Sequence, residues 1–186
     1  MDNTSEGQIF YTFVSMKSKA VDITISKSDV YKEIRTRTSY TAGKDAYNVS
    51  GESYDRISVA KADSILLDKY WELKAPSLLG LLRRYIFGSD KVVESSDSLK
   101  VELSMPMSYN ETVAPSLVEA CCKYMAAAIM SEWFKTANTD SDAGREQQQA
   151  DLLAARITRM LSERDMPVRR FGEDAEIKSD TTIEIA

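Results

Sequence analysis

The sequence predicts a mainly α protein: a helical bundle organised on an antiparallel helical hairpin, with small β-hairpins and an extended C-terminal tail. Three observations predict it. From Leu117 to Phe134 the chain is apolar almost all round a 3.6-residue helix, with Ser116, Glu119, Lys123, Ala127 and Ser131 stacking into one narrow, mostly polar stripe. Such a helix has to be surrounded. Residues 142–164 then set Ala150, Leu153, Ile157 and Leu161 on one face, and the connection Asn138-Thr139-Asp140-Ser141 is short enough to make the two helices antiparallel neighbours. Finally, two-residue alternation marks short segments within residues 8–26 and 99–105, too few for more than small sheet elements.

Taken in order, Ile9, Tyr11 and Phe13 alternate, as do Val21, Ile23 and Ile25, with Met16-Lys17-Ser18-Lys19 as a turn, so residues 8–26 read as a hairpin. A hairpin that short is marginal alone and must pair within the fold or on another subunit. Ser26-Lys27-Ser28-Asp29 supplies N-cap chemistry for a short amphipathic helix over 29–41, stopped by Gly43 in the left-handed position. Residues 43–56 are polar and aperiodic, a loop. A helical region starts between Ser58 and Asp63 and runs to about Phe87, with Leu67, Trp71, Leu78, Leu82 and Tyr85 along one side. Pro76 within it removes the hydrogen bond to the Glu72 carbonyl and predicts a kink or a split. Val92-Val93-Glu94, then Leu99, Val101, Leu103 and Met105 form a second hairpin, and Met166-Pro167 ends the last helix. Thr181-Thr182-Ile183-Glu184-Ile185 reads as a strand waiting for an edge. The resulting division is a strand-forming arm 1–26, a helical domain 27–167 with an inserted hairpin 91–106, and a tail 168–186.

Charge and composition bound the function. Charged residues make up 28% and hydrophobic ones 43% of 186 residues, ordinary for a soluble globular chain. The net charge of -5 argues against wrapping nucleic acid and is compatible with a surface past which DNA slides. The start Met1-Asp2-Asn3-Thr4-Ser5-Glu6-Gly7 lacks the basic and apolar regions of a secretion signal. Glu119, Lys123 and Glu132 interrupt the longest apolar run, so no membrane span is expected and the chain is expected in a cytoplasm. Cys121 and Cys122, about 100° apart on a helix, read as small core residues and not as a bridge.

The chemistry-bearing patterns are absent. There is no histidine, which removes the commonest general base and metal ligand together. The seven glycines form no phosphate loop, and no Cys or His pair has zinc spacing, so neither cofactor nor metal is expected. Asp63 with Asp68, Glu94 with Asp97, and Asp140 with Asp142 are the nearest carboxylate pairs, and each reads as a cap, a turn residue or a solvated face. No enzyme is expected. Val168-Arg169-Arg170-Phe171 is a compact basic cluster that reads first as a solvated tail, then as a partner-docking arm, and last as a nucleic-acid contact; Arg83-Arg84 complements a helix C-terminus, and Tyr70, Trp71, Tyr85 and Phe87 read as core.

Two groups of segments carry a resemblance. Ser28-Asp29-Val30-Tyr31-Lys32-Glu33-Ile34, Thr38-Ser39-Tyr40-Thr41-Ala42-Gly43-Lys44 and Tyr54-Asp55-Arg56-Ile57-Ser58 resemble the start of small structural proteins encoded beside capsid genes in tailed phages and prophages. Ala128-Ile129-Met130-Ser131-Glu132-Trp133-Phe134-Lys135 and Arg164-Asp165-Met166-Pro167-Val168-Arg169-Arg170 resemble their closing helical hairpin and its basic exit. The helix order is similar to that of the helical head-to-tail adaptors, from which the chain departs in Pro76, in its strand-rich N-terminus and in its longer tail. The resemblance implies a virion neck protein assembled in the host cytoplasm as a homo-oligomeric ring, a dodecamer, beneath the portal. Its partners would be itself, the portal and other neck or tail proteins, with DNA passing through a channel without sequence readout. Expected subunit or partner contacts are Val21, Ile23, Ile25, Val101, Leu103, Val168, Arg169, Arg170, Phe171, Ile183 and Ile185. The alternative is a cytoplasmic helical binding module or regulator outside any virion, whose apolar helices pair with a partner.

Overall fold

The computed structural model of the chain describes residues 18–48, 57–137 and 139–165. Strand β1 (Ser18–Ser26) leads directly into helix α1 (Lys27–Asn48); α2 (Ser64–Leu82) follows, then β2 (Val92–Glu94), β3 (Ser98–Pro106), α3 (Ala114–Thr136) and α4 (Asp140–Leu161). The fold is mainly helical with one small antiparallel sheet, as the patterning predicts.

Helix α3 is the axis of the core. Packed by α1, α2, α4 and β1, it buries Leu117, Cys121, Met125, Ile129, Met130 and Phe134. At roughly 1.5–3 kcal/mol per large apolar side chain removed from water, this helix contributes a large share of the folding free energy. With the 3-10 turn Glu111–Val113 before it, the run Glu111–Thr136 is by length and composition apolar enough to cross a bilayer, contrary to expectation, but 56% of its 18-residue apolar window is buried inside the protein. The stripe read as polar divides in two: Ser116, Glu119 and Lys123 face solvent, whereas Ala127 and Ser131 are buried beneath α4. Small side chains there let α4 come close, so Ala127 and Ala128 pack on Ala150 and Leu153, and Ser131 Oγ donates to the Ala143 carbonyl at 3.2 Å. The order of these contacts makes α3 and α4 an antiparallel hairpin.

The sheet has the order β1-β3-β2, all antiparallel. β1 pairs along its whole length with β3, from Ser18 opposite Pro106 to Ser26 opposite Ser98. β2 and β3 form the expected hairpin, in which β3 becomes the central strand. The partner strand expected at Ile9–Phe13 lies outside the described residues. Because β1 is locked into the sheet and Lys27 N–H donates to the Asp97 carbonyl at 2.9 Å, the boundary drawn at residue 26 separates nothing structurally up to Ser18.

Helix boundaries shift where a breaker is tolerated. α1 continues through Gly43 to Asn48, because Gly43 is exposed while Ala42 extends the buried face; an internal glycine costs a helix only about 1 kcal/mol. α2 is continuous through Pro76 instead of split there. Pro76 and Glu72 both lie on its exposed side, which leaves the carbonyl deprived of its donor open to solvent. A 3-10 turn over Lys61–Asp63 leads into α2, closed by Asp63 Oδ2 accepting from Ala60 N–H at 2.8 Å.

Specific polar contacts tie the helices together. Trp133 Nε1 donates to the Ile57 carbonyl at 2.8 Å, and Val59 N–H donates to the buried Thr38 Oγ1, so residues 57–59 join α3 to α1. Lys74 Nζ to Glu132 at 2.7 Å and Tyr70 Oη with Thr136 Oγ1 at 2.6 Å link α2 to α3.

Candidate assembly surface

The five strand residues expected to meet another subunit point the other way. Val21, Ile23, Ile25, Val101 and Leu103 are all buried in the chain's own core, where β1 and β3 place alternate side chains against the helices. One sheet face is spent internally, so these side chains are not available to a partner in this conformation. Val168, Arg169, Arg170, Phe171, Ile183 and Ile185 lie outside the described residues.

Two surface features remain. The first is the outer side of β1, a nine-residue strand at the edge of the sheet among the described residues, whose exposed side chains Ala20, Asp22 and Thr24 alternate with the buried set. An edge strand carries a row of backbone donors and acceptors that a further strand can pair. The opposite edge, β2, has only three residues.

The second is a groove of about 780 Å³ at the Ser18 end of the sheet, lined by Ser18, Pro106, Tyr85, Phe87 and the guanidinium-bearing Arg84 and Arg164. Its construction follows from local chain chemistry. After α2 a 3-10 turn over Arg83–Tyr85 leads into extended Ile86, and Gly88, at φ +111°, turns the chain in a conformation that only glycine adopts without strain. That turn leaves Phe87 67% exposed, where core burial was expected, while Tyr85 is half-buried. Wholly buried Trp71 and half-buried Tyr70 fit the core reading better. On the groove's far side the chain leaves α4 along the loop after β3: Tyr109 and Arg164 form a bridge, and Asp165 N–H donates to the Ser108 carbonyl at 2.7 Å. Arg164 is further held by its Nη1 donating to the carbonyls of Leu161 and Glu163. Tyr109 is fully buried beneath this junction, and burial raises its pKa. From the sequence Arg84 reads only as a dipole partner and Phe87 as core; the Phe-Gly step is the signal for an aromatic stranded at the surface.

The carboxylate pairs do structural work. Asp63 closes the 3-10 turn before α2; Asp68 accepts from Tyr31 Oη at 2.7 Å with Lys27 Nζ at 3.6 Å; Asp142 pairs with Arg145 at 3.0 Å; Glu94, at the end of β2, and Asp97, in the turn after it, are exposed. Burial, then the Asp68 hydrogen bond, raises the Tyr31 phenol far above its usual range. Glu146 of α4 is buried against Arg37 of α1 beside a cavity of about 520 Å³. Among the described residues no three His, Cys, Asp or Glu side chains converge as metal ligands. Burial pushes the Cys121 thiol up to about 12, which keeps it protonated and unreactive.

Comparison with protein-family models, with curated proteins and with solved structures gives no match.

Proposed function

We propose that this chain is a virion structural protein, a head-to-tail adaptor or connector whose copies form a ring at the phage neck beneath the portal. Its work is self-assembly and docking, and it needs neither cofactor nor reactive centre. The observation that carries the reading is the long edge of β1, which meets an aromatic, guanidinium-rimmed groove at the end where the chain runs on to residues 1–17 and 166–186. A rigid helical body with a pairing edge and adjoining chain segments is the apparatus by which ring subunits join neighbours. The net charge of -5 suits a conduit that repels DNA and lets it pass. The body would supply the scaffold and the edge, groove and adjoining segments the contacts.

Native mass spectrometry of the purified protein, alone and mixed with a portal ring, tests this. A closed oligomer or a portal-bound ring is expected. A chain that stays monomeric in both samples overturns the reading and favours the cytoplasmic binding module.

A further inference from the structure

Resting on that assembly reading, we propose that the groove receives residues 173–185 of a second copy of this chain. Glu173, Asp174 and Glu176 would lie between Arg84 and Arg164, and Ile177 against Tyr85 and Phe87.

The groove lining combines Tyr85, Phe87 and Pro106 with two guanidinium groups in a protein that is acidic overall. Its occupant must bring carboxylates and aliphatic side chains together in one extended stretch. Residues 173–185 do so: Glu173, Asp174, Glu176, Asp180 and Glu184 are interspersed with Ile177, Ile183 and Ile185, against a single Lys178. The other segment adjoining the groove is a poorer match, because its apolar run from Ile9 to Val14 contains no charge to answer two guanidiniums.

The assembly reading selects a second copy over the chain's own segment, and the chain has the reach for it: the seven residues 166–172 between Asp165 and Glu173, when extended, span about 23 Å.

The test uses the full chain carrying Phe87→p-benzoylphenylalanine, with unlabelled and nitrogen-15-labelled copies mixed before irradiation. Mass spectrometry of the linked peptides should show residues 173–185 joined to position 87 in mixed-isotope pairs. Arg84→Glu with Arg164→Glu should lower that yield by about tenfold, and Glu173→Arg with Asp174→Arg and Glu176→Arg on the partner copy should restore it. Arg84→Glu alone, which leaves the Arg164 bonds to Leu161 and Glu163 intact, should lower the yield in the same direction and controls for folding. Links within one chain only, links to residues 1–17, or no links from an oligomer overturn this inference while leaving the assembly reading standing. A monomer by native mass spectrometry, with no mixed links, overturns both.

Discussion

Glu146 of α4 lies 2.5 Å from an Arg37 guanidinium nitrogen of α1, with its carboxylate side chain only 4% exposed. The pair bridges residues 109 positions apart and leaves Arg145, 3.8 Å away and on the solvent side, as a minor second partner.

Removing the cation should therefore cost more than removing the pair. Arg37→Ala is expected to destabilise the fold by about 1–3 kcal/mol, the penalty of a buried charged group left without its donor. Arg37→Met with Glu146→Leu should recover most of that loss. Urea unfolding followed by circular dichroism measures both, and a single variant as stable as the parent would remove the pair's structural importance.

Pro76 offers the opposite sign. Replacing it with Ala gives the Glu72 carbonyl its donor back and removes the ring from the α2 backbone, so Pro76→Ala should raise stability by about 1–3 kcal/mol. A higher midpoint in thermal unfolding confirms this. A fall would mean that the proline's constraint on the unfolded chain outweighs its cost in the helix.

Acid should unfold the protein partly through Glu132. The Lys74 hydrogen bond, opposed by desolvation and assisted by Lys135, holds its carboxyl below the ordinary 4.5. A folded-state value below the unfolded one means the carboxylate contributes stability that is complete above about pH 4.5 and is lost as pH falls through the folded value. Glu132→Gln should flatten the stability profile in that acid window and leave its slope above pH 6 unchanged. Urea midpoints between pH 3 and pH 7 decide it.

Thiol labelling should read out the core. With its pKa pushed up to about 12 by burial, Cys121 should resist iodoacetamide at pH 8 in the folded protein and react only on unfolding. Half-buried Cys122 should label first. Rapid modification of Cys121 under native conditions would contradict the packing of α3.

The helices were legible because their signal is local. Ala150, Leu153, Ile157 and Leu161 announce one buried face, and the near-continuous apolarity of 117–134 announces a central helix. The partner of β1 was not, since Val21, Ile23 and Ile25 alternate identically whichever strand they join, and β3 lies some 75 residues further on. Ser131 misled for a different reason: a hydroxyl reads as solvent-facing until a backbone carbonyl, here Ala143, comes close enough to accept its proton. The groove was half visible. Arg84 and Arg164 stand in the sequence as cations, but only the fold brings them and the exposed Phe87, beside the turn at Gly88, to one groove.

The pairing of β1 with β3 also sets a schedule for biosynthesis. During translation the first strand of the sheet emerges long before its companion, and the loop to be closed spans α1, α2 and β2, so this ladder forms late. Throughout that interval a nascent chain on the same polysome can donate its own copy of β3. Exchange at this ladder would yield an intertwined dimer, made most often where ribosomes are crowded and least often on refolding at high dilution.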